Sequence, residues 1–141
     1  MSQDQIREII EKYKVAVVVG LSKDPEKVSY KVSAYLQHHS YRIIPVNPFA
    51  VEVLGEKSYK SILDIPVEIQ KTIEVVDVFR KSEDVPLIVE QAIELKMRVG
   101  RPFVVWMQLG IVNEQAAEAA RRAGLVVVMD KCLMTEHYRL I

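Results

Sequence analysis

The chain is 141 residues long, 50% hydrophobic and 27% charged, and its 19 basic and 19 acidic side chains cancel to a formal net charge of zero. That length suits one domain with a sizeable core, and the neutral balance excludes a nucleic-acid or membrane-surface role driven by bulk charge. The single cysteine, Cys132, excludes an internal disulfide; with a polar N-terminus lacking a signal-peptide core and no apolar run of membrane-spanning length, the expected location is the cytoplasm.

Residues 3–13 read as a short helix with Ile6, Ile9 and Ile10 on one face. Val15–Val19 is an unbroken apolar run that predicts a parallel strand covered on both faces. Gly20 follows, where the lack of a Cβ permits a tight turn and close approach of a ligand. Asp24-Pro25 marks a loop, and Ser29 takes the N-cap position of a helix over 29–39. A strand–glycine–loop–helix unit aims backbone N–H groups and a helix dipole at one point, which suits phosphate. A plain structural turn fits an isolated glycine equally well. The G-x-G-x-x-G fingerprint is absent, since the next glycine is Gly55.

The helix ends in His38-His39-Ser40, cations suited to a helix C-terminus and poorly disposed as a chelating pair. YRIIPV over 41–46 predicts the second strand, with Pro45 near its end and a turn at Asn47-Pro48. Residues 49–73 are mixed, with a short hairpin or an extended segment including 51–53, a tight turn at 54–56 and a loop at 64–66. The third strand is 73–79. A helix begins near Ser82, with Glu83 and Asp84 in its first turn and Pro86 early enough to be accommodated. The fourth strand is 103–107. Asn113 caps a helix over 114–123, Gly124 ends it, the fifth strand is 125–129, and the tail reads as helical.

This alternation predicts an α/β fold: a doubly wound parallel sheet of five strands, order 3-2-1-4-5, with helices on both faces and one domain over 1–141. Ligands of such sheets bind outside the carboxyl ends of the strands, here expected at the switch point between the first and fourth. The loops at that edge carry Gly20, Ser22 and Lys23, then Asn47, Arg80, Gln108 and Gly110, and Lys131. Small, amide and cationic residues in those positions describe a site for a polar, anionic ligand, with Arg80 suited to bidentate phosphate contact. Asn47 argues against NAD, for which an acidic residue at the end of the second strand would hold the ribose.

The segments VAVVVGLSKDPEKVSYKVSAYL, YRIIPVNP, EVLGEKSYKSILDIP, VVDVFRKSEDVP and VVWMQLGIVNEQAAEAARRAGLVVVMDKC cover nearly the whole chain. In these the sequence resembles the small single-domain CoA-binding proteins related to the N-terminal CoA-binding domain of the succinyl-CoA synthetase α subunit. The resemblance implies a Rossmann-like fold with CoA or acyl-CoA as the bound small molecule. It matches Gly20, Leu21 and Ser22 to the phosphate loop, Ser29 and Tyr30 to the start of the following helix, and Asn47 and Pro48 to the second-strand motif. Phe79 and Arg80 match the third-strand motif, and Gln108 and Gly110 the switch-point loop. The pyrophosphate is then expected near Gly20, Ser22 and the helix terminus, and the 3′-phosphate near Lys23, Lys27 and Arg80. The chain departs from the family at EKVSY, where relatives carry Arg-Pro before the serine.

The chain is too short to hold the phosphohistidine domain and nucleotide-binding subunit that acyl-CoA formation requires in the synthetase. No Ser–His–Asp order or metal spacing suggests chemistry of its own, and Cys132 with His137 is a weak nucleophilic pair. The expected activity is non-catalytic binding of CoA or acyl-CoA, with neither nucleic acid nor membrane as partner. The alternatives are an NAD(P)-binding redox sensor or oxidoreductase, and an interaction module with a vestigial site. Ala116, Ala117, Ala120 and Leu133 are expected to pack internally or against a second subunit or protein partner.

Overall fold

β-branched residues dominate the strands of the sheet. The computed structural model describes residues 1–141. A helix α1 (Gln3–Lys12), started by a Ser2–Gln5 capping box, leads to β1 (Val15–Val19), α2 (Val28–His38) and β2 (Arg42–Val46). A hairpin of β3 (Glu52–Val53) and β4 (Glu56–Lys57) follows, then a 3-10 turn (62–64), α3 (Val67–Gln70) and β5 (Val75–Val78). A second 3-10 turn (82–84) enters α4 (Val85–Val99), followed by β6 (Val104–Met107), α5 (Glu114–Arg122), β7 (Val126–Val128) and α6 (Leu133–Leu140).

The five long strands form a parallel sheet in the order β2-β1-β5-β6-β7, a Rossmann-like α/β fold. The class is the one the sequence predicts, but the strand order is corrected. The third strand of the sequence reading pairs with the first, Val17 opposite Val76 and Val19 opposite Val78. The order is therefore 2-1-3-4-5 rather than 3-2-1-4-5.

Backbone pairing explains the difference. β5 is bonded on both sides, to β1 and to β6, and each of its residues is buried. β2 begins at exposed Arg42 and contains Pro45, which lacks the N–H that a central strand must donate. It is an edge strand, and its outer side is closed by the segment after the hairpin: Tyr59 donates to the Pro45 carbonyl at 3.1 Å, and Asn47 donates to the Tyr59 carbonyl at 2.9 Å. The switch point consequently lies between β1 and β5, not between the first and fourth strands.

Two apolar layers flank the sheet. Val17, Val76, Val105 and Val127 face a cluster that includes Val85, Ala92 and Leu95 of α4 and Ala117 and Ala120 of α5. Ala16, Val18, Val104 and Trp106 face the other way, onto Ile6 and Ile10 of α1, Val32 and Leu36 of α2, and Leu133 of α6. Ala116, Ala117, Ala120 and Leu133 are therefore committed to the domain's own core. As expected, Asn113 caps α5 by accepting from Ala116 N–H at 2.9 Å, and the tail forms a helix.

Candidate functional site

A cleft of about 530 Å³ opens at the carboxyl edge of the sheet, over the β1–β5 switch point. Its floor is Val19, Gly20 and Val46. One wall carries Asn47, Pro48, Phe49 and Lys60, and the other Arg80, Asp84, Leu87 and Ile88, with Ser22 completing the lining. The volume falls within the range of small-molecule sites, and apolar walls with a few convergent polar groups are their usual composition.

Gly20 builds the floor. Its φ is +91°, a conformation that disfavours side chains, and a Cβ there would lie 2.6 Å from the Phe79 carbonyl oxygen and 3.0 Å from Arg80 Cδ. Only glycine lets β1 and the end of β5 close to this separation, and that closeness brings Arg80 to the cleft. Gly20 N–H donates to the Val46 carbonyl at 2.9 Å, tying the same point to β2.

The phosphate-loop expectation is altered in detail. α2 begins at Val28 with Lys27 as its N-cap residue, so Ser29 does not cap it. The Ser29 hydroxyl instead accepts Ser22 N–H at 2.9 Å, and the Ser22 hydroxyl accepts Asp24 N–H at 3.0 Å. Glu26 and Lys27 N–H are also satisfied within the loop, both by Asp24. Leu21 and Lys23 retain N–H groups with no partner in the protein. The loop is thus braced by its own hydrogen bonds, while the first-turn N–H groups of α2, on Val28, Ser29 and Tyr30, also have no partner in the protein.

Asn47 is a clamp between loops. Its Nδ2 donates to the Leu21 carbonyl at 3.0 Å, and its Oδ1 accepts Phe49 N–H at 2.8 Å. Its position fixes the β1 and β2 loops against each other and leaves one N–H and one oxygen lone pair of the amide without a partner in the protein. Arg80 Nη2 contacts Asp84 Oδ2 at 3.1 Å across the other wall.

Of the residues singled out in the sequence, Gly20, Ser22, Asn47, Pro48 and Arg80 line the cleft. Leu21 is fully buried and Tyr30 packs on the α1/α2/α6 layer, while Phe79 contributes its carbonyl beneath Gly20. Lys23 and Lys27 are exposed on the loop outside the cleft lining.

Gln108 and Gly110 lie beyond the cleft wall. Gln108 Nε2 donates to Asp77 Oδ1 at 2.6 Å, and its Oε1 accepts Leu133 N–H at 3.3 Å. Gly110 N–H donates to Asp130 Oδ1 at 2.7 Å. These contacts belong to the anchoring of α6 and the β6 loop, because the switch point sits one strand away from where the sequence placed it. Lys131 is half-buried and outside the cleft lining; its backbone carbonyl accepts Trp106 Nε1–H at 2.8 Å.

Phe49, Lys60, Asp84, Leu87 and Ile88 line the cleft without having been singled out. Asp84 and the α4 residues follow from the corrected order, which sets the start of α4 beside the β1 loop. Lys60 had a signal in the quoted segment EVLGEKSYKSILDIP, but only pairing of Tyr59 with β2 carries it to the edge.

Asp77 is wholly buried on the central strand, its Oδ2 without a partner, and burial pushes its carboxyl up from 3.8 to about 7 against the Gln108 hydrogen bond. His137 is buried on α6 and its Nδ1 shares a 2.9 Å hydrogen bond with the Tyr35 hydroxyl. Burial lowers its pKa, helped by nearby His39 and Lys14. That bond takes up Nδ1, and no hydrogen bond joins either ring nitrogen to the Cys132 thiol.

A family model described as a CoA binding domain matches residues 14–138. The chain belongs to that CoA-binding family. YneT of Bacillus subtilis is 39% identical over 136 residues, covering 96% of this chain and 94% of that protein. A hypothetical protein from Pyrococcus horikoshii superposes with a TM-score of 0.89 at 43% identity, covering 99% of this chain and 92% of the other. The ADP-forming acetate–CoA ligase of Methanocaldococcus jannaschii is 26% identical over 136 residues, 90% of this chain but 18% of the ligase. The homology is therefore to the CoA-binding region of such ligases. No helix is long and apolar enough to cross a membrane.

Proposed function

We propose that this domain binds CoA or an acyl-CoA without chemistry of its own, placing the nucleotide half of the ligand in the cleft over Gly20. The observation that carries the reading is the Gly20 floor: a Cβ-free approach at the switch point, beneath Arg80 and opposite Lys60. A phosphate resting there meets a guanidinium that offers a bidentate fork and an ammonium that offers a point charge. The exposed side chain of Phe49 and the Leu87 side chain supply apolar surface at the rim for the flat face of a base. From the ligases the reading takes CoA binding and not ligation, since the chain spans less than a fifth of the Methanocaldococcus protein.

Thermal shifts with CoA, dephospho-CoA, NAD and ATP in parallel test the reading. A ligand at a hundred times Kd stabilises by about 2.7 kcal/mol, which moves the melting point by roughly several degrees. The expected result is a shift with CoA that shrinks with dephospho-CoA. A shift with NAD alone transfers the function to redox sensing, and no shift with any of the four, from protein shown to be ligand-free, leaves an interaction module.

A further inference from the structure

Asp84 ends the 3-10 turn that runs straight into α4; its backbone is already helical, so its side chain makes no cap bond and is left for other partners. It reaches back one turn to Arg80 instead, Oδ2 to Nη2 at 3.1 Å. Both side chains line the cleft and remain open to it, Arg80 50% exposed and Asp84 38%. The cleft therefore presents two cations, Lys60 and Arg80, and one carboxylate already joined to one of them.

An anionic ligand that engages Arg80 takes over a guanidinium with an existing partner, and does so beside a fixed negative charge. We propose that Asp84 is a specificity-determining residue: it competes with the ligand for Arg80 and penalises each added negative charge on what enters the cleft. Without this carboxylate the two cations and the Gly20 floor would favour the most highly charged phosphate compound available. With it, charge is discounted and the apolar rim weighs more in the choice of ligand. The inference rests on the cleft being the ligand site, and it applies to any phosphate-bearing occupant.

Calorimetric titration of the wild type and Asp84→Asn with CoA, dephospho-CoA and ADP tests it. The asparagine keeps the shape and removes the charge. Because an exposed pair is weak, the expected gain in CoA affinity is roughly two- to five-fold. The gain is smaller for dephospho-CoA, and it shrinks when Asp84→Asn is combined with Arg80→Ala, because competition for the guanidinium is lost and only the direct repulsion remains. Unchanged or weaker binding by Asp84→Asn overturns the proposal, as does a gain that persists in full without Arg80. If neither protein binds CoA while ADP binding tightens in Asp84→Asn, the CoA reading fails and the Asp84 assignment stands. If neither probe binds, both are rejected.

Discussion

The carboxylate of Asp77 and the amide of Gln108 meet at 2.6 Å inside the core, joining the central strand to the loop that anchors α6. Gln108 uses both ends of its amide, one on Asp77 and one on the Leu133 N–H, so the contact bridges the sheet to the C-terminal helix. No cation compensates the buried carboxylate, and the other oxygen of Asp77 has no partner. Burying an uncompensated charge is costly, and the protein responds by holding the proton.

Stability should therefore fall as pH rises. The folded-state pKa of Asp77, about 7, lies above the ordinary 3.8, so the folded protein keeps a proton that the unfolded chain releases. The stabilisation is complete below pH 4 and is lost progressively as pH approaches 7. Asp77→Asn should remove this slope, improving relative to wild type by about 2–4 kcal/mol between pH 4 and 8. Urea unfolding of both proteins across that range checks it, and parallel stability curves would refute a raised Asp77.

The His137 slope runs the other way. Its folded pKa is lowered, so the unfolded chain takes a proton that the folded protein refuses, and stability is lost as pH falls through the ordinary value of 6.5. His137→Asn retains a polar atom near the Nδ1 position for Tyr35 and cannot be charged. It should be less acid-sensitive than wild type below pH 6.5, as read from melting temperatures at pH 5 and pH 8. Equal losses in the two proteins would rule out His137 as the source.

Gly20→Ala should damage both fold and site. The strained φ and the 2.6 Å approach to the Phe79 carbonyl require β1 and β5 to separate at the cleft floor. A cost of about 1–3 kcal/mol in stability is expected, with CoA affinity falling further than Gly55→Ala would cause. Gly55 makes a good control because it also has positive φ (+77°) but has open space around it.

Arg80→Ala separates binding from stability. Its ion pair with Asp84 is half-exposed, so folding should change by less than about 1 kcal/mol. Loss of a charge-assisted bond to phosphate, about 1.5–3 kcal/mol, corresponds to roughly a 10- to 150-fold rise in Kd for CoA. Isothermal titration gives the second number and urea unfolding the first.

Local patterning made most elements legible in the sequence. The run Val15–Val19 matches β1 end to end, and the Asn113 cap and the hairpin tip with left-handed Leu54 and Gly55 follow from residue chemistry. Strand order was harder, because it is a choice among distant partners. The decisive sign was Pro45, whose missing N–H places β2 at the edge, while β5 is bonded on both sides.

The site was legible as loops at one edge but not as contacts. Ser29, Asn47 and Gln108 look alike in the sequence as polar residues near strand ends or helix starts. Only the fold shows Ser29 and Asn47 bracing the loops and Gln108 turned into the core. Lys60 comes to the cleft through a pairing of Tyr59 that no local pattern announces.

Trp106 is the only tryptophan, fully buried and hydrogen-bonded to the Lys131 carbonyl just before α6, and it is not a lining residue of the cleft. Its fluorescence is consequently a clean optical gauge of how the C-terminal helix is seated. Filling the cleft should leave that emission unchanged, so any ligand that shifts it has signalled across the sheet.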